Sequence, residues 1–148
     1  MGTAGWTLED EGATGPTPAV SVVIPVYNEE ANLEPLYERL EPVMEDLGRP
    51  YEVLFIDDGS RDGSLEILCH LREKHAAIRV IQLNRNYGQH AAVFAGLDHA
   101  RGDVIVTLDA DLQNPPEEIP RLLDKIAEGH DVCPLGPRDQ RRPRSREG

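Results

Sequence analysis

The sequence predicts an α/β fold, in which a mainly parallel sheet carries helices on both faces. Short apolar runs alternate with segments of helical periodicity four times along the chain. The runs are rich in valine and isoleucine, which is typical of strands that are buried on both faces. Repeated strand-helix units of this length form parallel sheets through right-handed crossovers. Together these observations favour a parallel sheet with helices on both faces.

Each predicted element rests on its own pattern. The apolar runs predict strands over Ala19 to Tyr27, Tyr51 to Asp57, Ile78 to Asn84 and Val104 to Leu108. Apolar residues at helical spacing predict helices from Glu30 to about Leu47, over Ser64 to His75, from about Gln89 to Ala100, and over Pro116 to Glu128. Pro42 lies inside the first of these, where a proline predicts a kink or an early end.

The chain has three predicted parts. With 148 residues and 39% apolar residues, it is long enough for one core and short for a second full domain. Residues 1–18 are rich in Gly, Thr and Pro and predict a disordered leader, and residues 19–132 predict the domain. Residues 133–148 are a Pro- and Arg-rich tail, which holds five of the fifteen basic residues.

Charge and cysteine content narrow the class of protein. The formal net charge is -12, which disfavours nucleic acid as a partner. The two cysteines, Cys69 and Cys133, are too few for a disulfide framework and lack metal-ligand spacing. The leader lacks the pattern of a signal peptide, and no run approaches the roughly 20 apolar residues that cross a bilayer. A cytoplasmic location is expected.

Polar side chains follow all four predicted strands. They are Pro25, Tyr27, Asn28 and Glu29 after the first; Asp57, Asp58, Gly59 and Ser60 after the second; Asn84, Arg85, Asn86 and Gly88 after the third; and Asp109, Asp111 and Gln113 after the fourth. Each group alone is also typical of a helix cap or a turn. Because ligands of open α/β sheets bind beyond the carboxyl ends of the strands, we expect one site there.

The pair Asp109 and Asp111 predicts a metal ion. Two carboxylates so close repel each other unless a cation or strong donors offset their charge. Oxygen ligands of this kind select Mg²⁺ or Mn²⁺, and Gln113 adds a neutral ligand. The sequence has no P-loop, no GxGxxG after the first strand and no GxSxG elbow, so it predicts neither a P-loop ATPase, a dinucleotide fold nor that class of hydrolase.

Four segments resemble family 2 glycosyltransferases, and within them the polyprenyl-phosphate sugar transferases. They are PVYNEE (residues 25–30), IDDGS (56–60), NRNYGQHAAVFAGL (84–97) and GDVIVTLDADLQNPPEEIPRL (102–122). The likeness covers residues 20 to 132. It implies a Rossmann-like GT-A domain, here truncated, that binds a UDP- or GDP-linked sugar. It also implies inverting, metal-dependent sugar transfer to polyprenyl (undecaprenyl) phosphate at the cytoplasmic face of the membrane.

The resemblance also implies a role for each matching residue. Those implied to line the nucleoside pocket are Pro25, Tyr27, Glu29, Ile56 and Asp58. Asp109 and Ala110 are implied to approach the diphosphate and sugar, and Asp111 and Gln113 to hold the metal with support from Asp109. Asp109 and Asp111 are therefore the catalytic candidates.

The sequence departs from the family after Val132. Relatives continue with an acceptor-binding half, whereas this chain continues as DVCPLGPRDQRRPRSREG, with Arg138 about one residue out of register with the family's arginine. Two further hypotheses therefore stand beside the transferase. One is a truncated module that binds metal and nucleotide sugar without turnover. The other is a metal-dependent nucleotidyltransferase, which the motif set disfavours.

Overall fold

The structure, a computed structural model, describes residues 6–8 and 17–129. Its strands are β1 (Trp6–Leu8), β2 (Val20–Val26), β3 (Tyr51–Asp57), β4 (Ile78–Leu83) and β5 (Val104–Thr107). Its helices are α1 (Leu33–Asp46), α2 (Ser64–Lys74), α3 (Gln89–His99) and α4 (Ile119–Ala127), and a 3-10 turn over Pro116–Glu118 leads into α4. The predicted alternation of strands and helices is confirmed.

The five strands form one sheet in the order β1-β4-β3-β2-β5. β2, β3, β4 and β5 are parallel, and only β1 runs antiparallel to its neighbour. The chain steps outward from β2 to β4 and then returns to place β5 on the other side of β2. β2 and β5 are therefore the point where the direction of winding reverses, and a crevice opens at such a point.

The two faces of the sheet pack differently. On one face, α1, α2 and α4 enclose the larger core, which contains Val22, Ile24 and Phe55 from the strands. On the other, α3 covers a smaller cluster around Val23 and Ile56. Successive residues of one strand point to opposite faces, which is why neighbours in β2 join different clusters. Helices lie on both faces, as predicted.

One local prediction is wrong, and another is narrowed. The sequence places Trp6–Leu8 in a disordered leader, but this segment pairs with β4, whose outer edge would otherwise present unpaired backbone groups. The remaining leader residues 1–5 and 9–16, and the predicted tail 133–148, lie outside the described residues. At Pro42 the sequence predicts a kink or an early end, and the early end is not observed, since α1 continues to Asp46 with Met44 buried in the core.

A buried polar network ties the strands together at their amino ends. Glu52 accepts hydrogen bonds from Ser21 Oγ at 2.6 Å, Arg79 Nη1 at 2.8 Å and the Arg101 N–H at 2.7 Å. Ser21 Oγ in turn accepts a bond from the Gly102 N–H at 2.8 Å. Because these residues lie on β2, β3, β4 and the α3–β5 connection, the network fixes where β5 begins.

Within the described residues, no helix is long and apolar enough to cross a bilayer.

Candidate functional site

A cleft of about 360 Å³ lies at the carboxyl ends of the strands. It is lined by Pro25, Val26, Tyr27, Glu29, Asp58, Asn86, Gly88, Gln89, Asp109, Ala110 and Asp111. These residues come from the end of β2, from the connections after all four parallel strands and from the first residue of α3. The expectation that the polar strand ends meet at one edge therefore agrees with this placement.

Most of the predicted site residues lie in this cleft. Seven of them line it together: Pro25, Tyr27, Glu29, Asp58, Asp109, Ala110 and Asp111. Ile56 and Gln113 are not in the lining. The Ile56 side chain is fully buried beneath α3, and Gln113 is exposed next to Asp111.

The connections after β2 and β3 are joined by side-chain hydrogen bonds. The Asn28 N–H donates to Ser60 Oγ at 2.9 Å, and Asn28 Oδ1 accepts from the Arg61 N–H at 2.8 Å. The Glu29 N–H donates to Ser64 Oγ at 2.9 Å. Asn28 has a φ of 56°, a left-handed conformation that asparagine tolerates better than most residues. These polar residues thus link the two loops, instead of capping single helices.

Asp58 organises the connection after β4. It is 2% exposed, and its carboxylate accepts the Tyr87 N–H at 2.8 Å, the Gly88 N–H at 3.0 Å and Asn86 Nδ2 at 3.1 Å. Asn86 Nδ2 also lies 3.1 Å from the Asp58 carbonyl oxygen. These three N–H donors give the buried carboxylate the hydrogen-bond partners that it needs away from water. Asp58 therefore holds one wall of the cleft in place.

Asp57, directly before Asp58, has a different environment. It is 2% exposed, and one carboxylate oxygen, Oδ1, has no hydrogen-bond partner within the described part of the chain. Burial raises the pKa of Asp57, while bonds from Ser60 lower it and the charges of Asp58 and Asp62 raise it further. Because side chains of β3 alternate between the two faces of the sheet, Asp57 points to the face that α1 and α2 cover. It therefore supports the loops from beneath the cleft.

Asp109 and Asp111 lie at the opposite wall, directly after β5. Asp109 Oδ1 accepts a bond from Gln89 Nε2 at 3.3 Å, and Oδ2 accepts one from Asn114 Nδ2 at 3.2 Å. Asp111 is exposed, and its Oδ1 accepts the Gln113 N–H at 3.1 Å. Donors from two sides therefore orient Asp109, whereas Asp111 faces solvent.

The backbone between Asp111 and Gln113 is strained. Leu112 has a φ of 68°, which is an outlier for a bulky side chain. Such a conformation costs about 1–3 kcal/mol and is found mostly at functional sites. The strain accompanies a sharp turn of the chain that keeps Asp109 and Asp111 at the cleft.

The protein atoms at this end of the cleft could supply only some of the ligands of a small divalent ion. Among the described residues, no three His, Cys, Asp or Glu side chains cluster as a metal site. Two carboxylates and an amide oxygen are hard ligands that suit Mg²⁺ or Mn²⁺, which keep several positions for water or phosphate. The residues present are consistent with an ion whose shell is completed by a ligand.

A larger cleft of about 650 Å³ opens near the amino ends of the strands. Tyr37, Tyr51, Glu52, His75 and Arg79 are among the residues that line it. None of the predicted site residues belongs to it. The predicted site residues at the strand ends therefore converge in the smaller of the two clefts.

Three polar residues of the cleft region have no role predicted from the sequence. Asn86 and Gln89 lie in the segment NRNYGQH, and Asn114 follows Gln113 directly. Each of them orients a predicted carboxylate. Their positions beside the motif residues were the signal in the sequence that could have indicated a role. Which carboxylate each of them contacts depends on the fold.

Comparison with known proteins gives a consistent result. The family described as Glycosyl transferase family 2 matches residues 21–147. This range includes most of 133–148, so the division between domain and tail stays a prediction. Undecaprenyl-phosphate 4-deoxy-4-formamido-L-arabinose transferases of Pseudomonas paraeruginosa and Klebsiella pneumoniae are 57% and 55% identical over 118 residues, which is 79% of this chain. The chain spans about a third of these relatives, 35% and 36% of their length.

Solved structures share the fold. TarS 1-349 of S. aureus in complex with UDP aligns with a TM-score of 0.59 and 29% identity, over 74% of this chain and 32% of TarS 1-349. The mannosyltransferase PcManGT from Pyrobaculum calidifontis, in complex with GDP-Man and Mn²⁺, aligns with a TM-score of 0.55 and 27% identity, over 65% of this chain and 28% of PcManGT. The sheet and helices described above therefore follow an architecture that is also seen in these two solved structures.

Proposed function

Because this chain belongs to glycosyl transferase family 2, we propose that it supplies the donor-binding site of an enzyme that transfers a sugar from a nucleotide sugar to polyprenyl phosphate. The observation that carries the proposal is the shared cleft. It joins Asp58 after β3 with Asp109 and Asp111 after β5. Nucleoside, diphosphate and metal would then meet in one crevice where the winding of the sheet reverses.

The cleft divides into two sides with different tasks. Pro25, Tyr27, Glu29 and Asp58 would contact the nucleoside, with Ile56 supporting them from below. Tyr27 is 43% exposed, so its ring is accessible for stacking with a base. Asp109 and Ala110 would approach the diphosphate and sugar. This division follows the positions of β3 and β5 on opposite sides of β2.

Asp111 and Gln113, with support from Asp109, would hold Mg²⁺ or Mn²⁺. When bound, such an ion neutralises negative charge on the leaving nucleoside diphosphate. Asp111 is exposed and can reach a ligand, whereas both oxygens of Asp109 already accept amide donors. This difference supports Asp111 as the primary protein ligand and Asp109 as the supporting one. The Mn²⁺ complex of PcManGT supports a divalent ion in this family.

The protein's own contribution to the chemistry would be positioning. The acceptor, a lipid phosphate, is ionised near neutral pH and needs little help from a general base. Holding donor and acceptor in line can lower the barrier by about 7–11 kcal/mol. The names of the relatives support undecaprenyl phosphate as acceptor. UDP and GDP-Man complexes among the structural relatives support either nucleotide as the donor's carrier.

Calorimetric titration tests the metal assignment. We expect UDP or GDP to bind in Mn²⁺ at least about tenfold more tightly than in chelator, a difference of about 1.4 kcal/mol. Asp111→Asn should lose this gain because it removes the ligand charge. Asp98→Asn is the matched control, since Asp98 is exposed near the end of α3, away from the cleft. Binding that is equal in chelator, or equal in Asp111→Asn, would contradict the assignment.

A second titration separates the two sides of the cleft. Asp58→Ala should weaken binding of the free nucleoside, because it removes the carboxylate that shapes that wall. Asp111→Ala should leave nucleoside binding within about twofold, a change of about 0.4 kcal/mol. Equal losses in both variants would show that the roles are not divided.

A radiolabelled sugar assay with polyprenyl phosphate and Mg²⁺ then distinguishes transfer from donor binding without turnover.

A further inference from the structure

The linker between β4 and α3 is bound tightly to the nucleoside side of the cleft. Asp58 accepts hydrogen bonds from three consecutive residues of this linker, Asn86, Tyr87 and Gly88, at 2.8 to 3.1 Å. The three donors converge on one carboxylate that is 2% exposed. Anything that shifts or stiffens Asp58 must therefore also act on the linker.

A close backbone contact strengthens this connection. Gly59 has a φ of 72°, and a Cβ atom built there would lie 2.5 Å from the carbonyl carbon of Arg85 and 2.5 Å from the nitrogen of Asn86. The linker thus passes directly over the residue that follows Asp58. Movement of one chain segment cannot leave the other unaffected, since packed backbones transmit displacement.

The same linker reaches the metal side through Gln89, the first residue of α3. Gln89 Nε2 donates to Asp109 Oδ1 at 3.3 Å. This bond is long and exposed, so its population depends on how well the linker positions Gln89. The other oxygen of Asp109 is held independently, because its donor, Asn114, belongs to the connection after β5.

We propose that the linker from Asn86 to Gln89 couples nucleoside binding to metal binding, with Gln89 as the positioning residue. The inference rests on the proposed function of the cleft. A nucleoside on Asp58 would restrict the remaining motion of the linker, and Gln89 would then hold Asp109 in its metal-supporting orientation. The metal ion would meet a site that is already ordered, so less conformational freedom is lost when it binds. By linkage, the metal tightens nucleoside binding by the same factor.

Mn²⁺ titrations with uridine or guanosine as probes test the coupling. These nucleosides carry no phosphate, so they cannot bridge to the metal themselves. We expect saturating nucleoside to tighten Mn²⁺ binding by about fivefold or more, the lower range of measured couplings. In Gln89→Ala this ratio should fall to about one, while nucleoside affinity without metal stays within about twofold. Gln89 is exposed, so the variant should fold normally.

Asn114→Ala is the control that separates coupling from simple damage to Asp109. It should weaken Mn²⁺ binding equally with and without nucleoside and so keep the ratio. His90→Ala, in the same turn of α3 and exposed, should change neither affinity and serves if Asn114→Ala does not fold. A ratio retained in Gln89→Ala, or a ratio of one in the unmodified chain while both ligands bind, would overturn the coupling alone. A chain that binds neither probe would overturn the proposed function and the coupling with it.

Discussion

Replacing Gly59 with alanine should destabilise the protein through two separable effects. The first is backbone strain, because Gly59 has a φ of 72° and a left-handed conformation costs other residues about 1–2 kcal/mol. The second is a collision, because the new Cβ would lie 2.5 Å from backbone atoms of Arg85 and Asn86. Backbone cannot rotate away as a flexible side chain can, so the linker itself must move.

The size of the effect follows from these two terms. Displacing well-packed atoms costs about 1–3 kcal/mol, and alanine regains about 0.4–1 kcal/mol by restricting the unfolded chain. The net loss for Gly59→Ala is therefore about 1–5 kcal/mol, by the strain and packing costs above less the amount regained. Gly48→Ala is the matched control, since Gly48 has a φ of 68° but no atom of the described residues lies within 4 Å of where a Cβ would stand. It should lose about 1 kcal/mol or less.

Urea denaturation of both variants measures the difference. We expect the free energy of unfolding of Gly59→Ala to fall below that of Gly48→Ala by about 1–3 kcal/mol, the packing term alone. Nucleoside binding should also weaken in Gly59→Ala, because the linker that Asp58 holds is displaced. If the two glycine variants lose the same stability, the close approach of Arg85 and Asn86 to Gly59 is not what the protein experiences in solution.

Two further predictions concern buried charge. Glu52→Ala should lower the free energy of unfolding by about 3–5 kcal/mol in urea denaturation, because it removes the carboxylate that offsets the buried charge of Arg79. Glu117→Ala breaks the exposed pair with Arg39 and should cost at most about 1 kcal/mol. Equal costs would refute the burial argument. Asp57→Asn should be more stable relative to the unmodified chain at pH 7 than near pH 4, because a raised pKa means that folding favours the protonated form and stability is lost as pH rises through it; a stability difference that is independent of pH would contradict this.

Much of the fold could be predicted because apolar patterning reports burial directly. β3 begins and ends at the predicted residues, and the other parallel strands differ by one residue at one or both ends. The edge that carries the site was also predictable, since parallel strands place all their carboxyl ends together. β1 was missed because three residues between polar segments give no period, and its pairing depends on the free edge of β4.

The hydrogen-bond pattern of the cleft could not be predicted from the sequence. The bonds that join the loops need Asn28 at a φ of 56°, and the turn after Asp111 needs Leu112 at a φ of 68°. Neither conformation is implied by residue type alone, since asparagine and leucine usually adopt negative φ. The contacts of Gln89 and Asn114 with Asp109 likewise depend on how α3 and β5 are placed relative to each other.

The order of the strands has a consequence for how the cleft is assembled. β2 pairs with β3 through Val20 and Tyr51, close in sequence, but with β5 through Val20 and Val104. Closing the longer loop costs more chain entropy, and contacts between distant residues slow folding. We expect β5 to join the sheet last, bringing Asp109 to a nucleoside side that already exists. A ligand that spans both sides would then bind only the finished sheet and retard its opening at β5, which amide hydrogen exchange would detect as slower exchange in that strand.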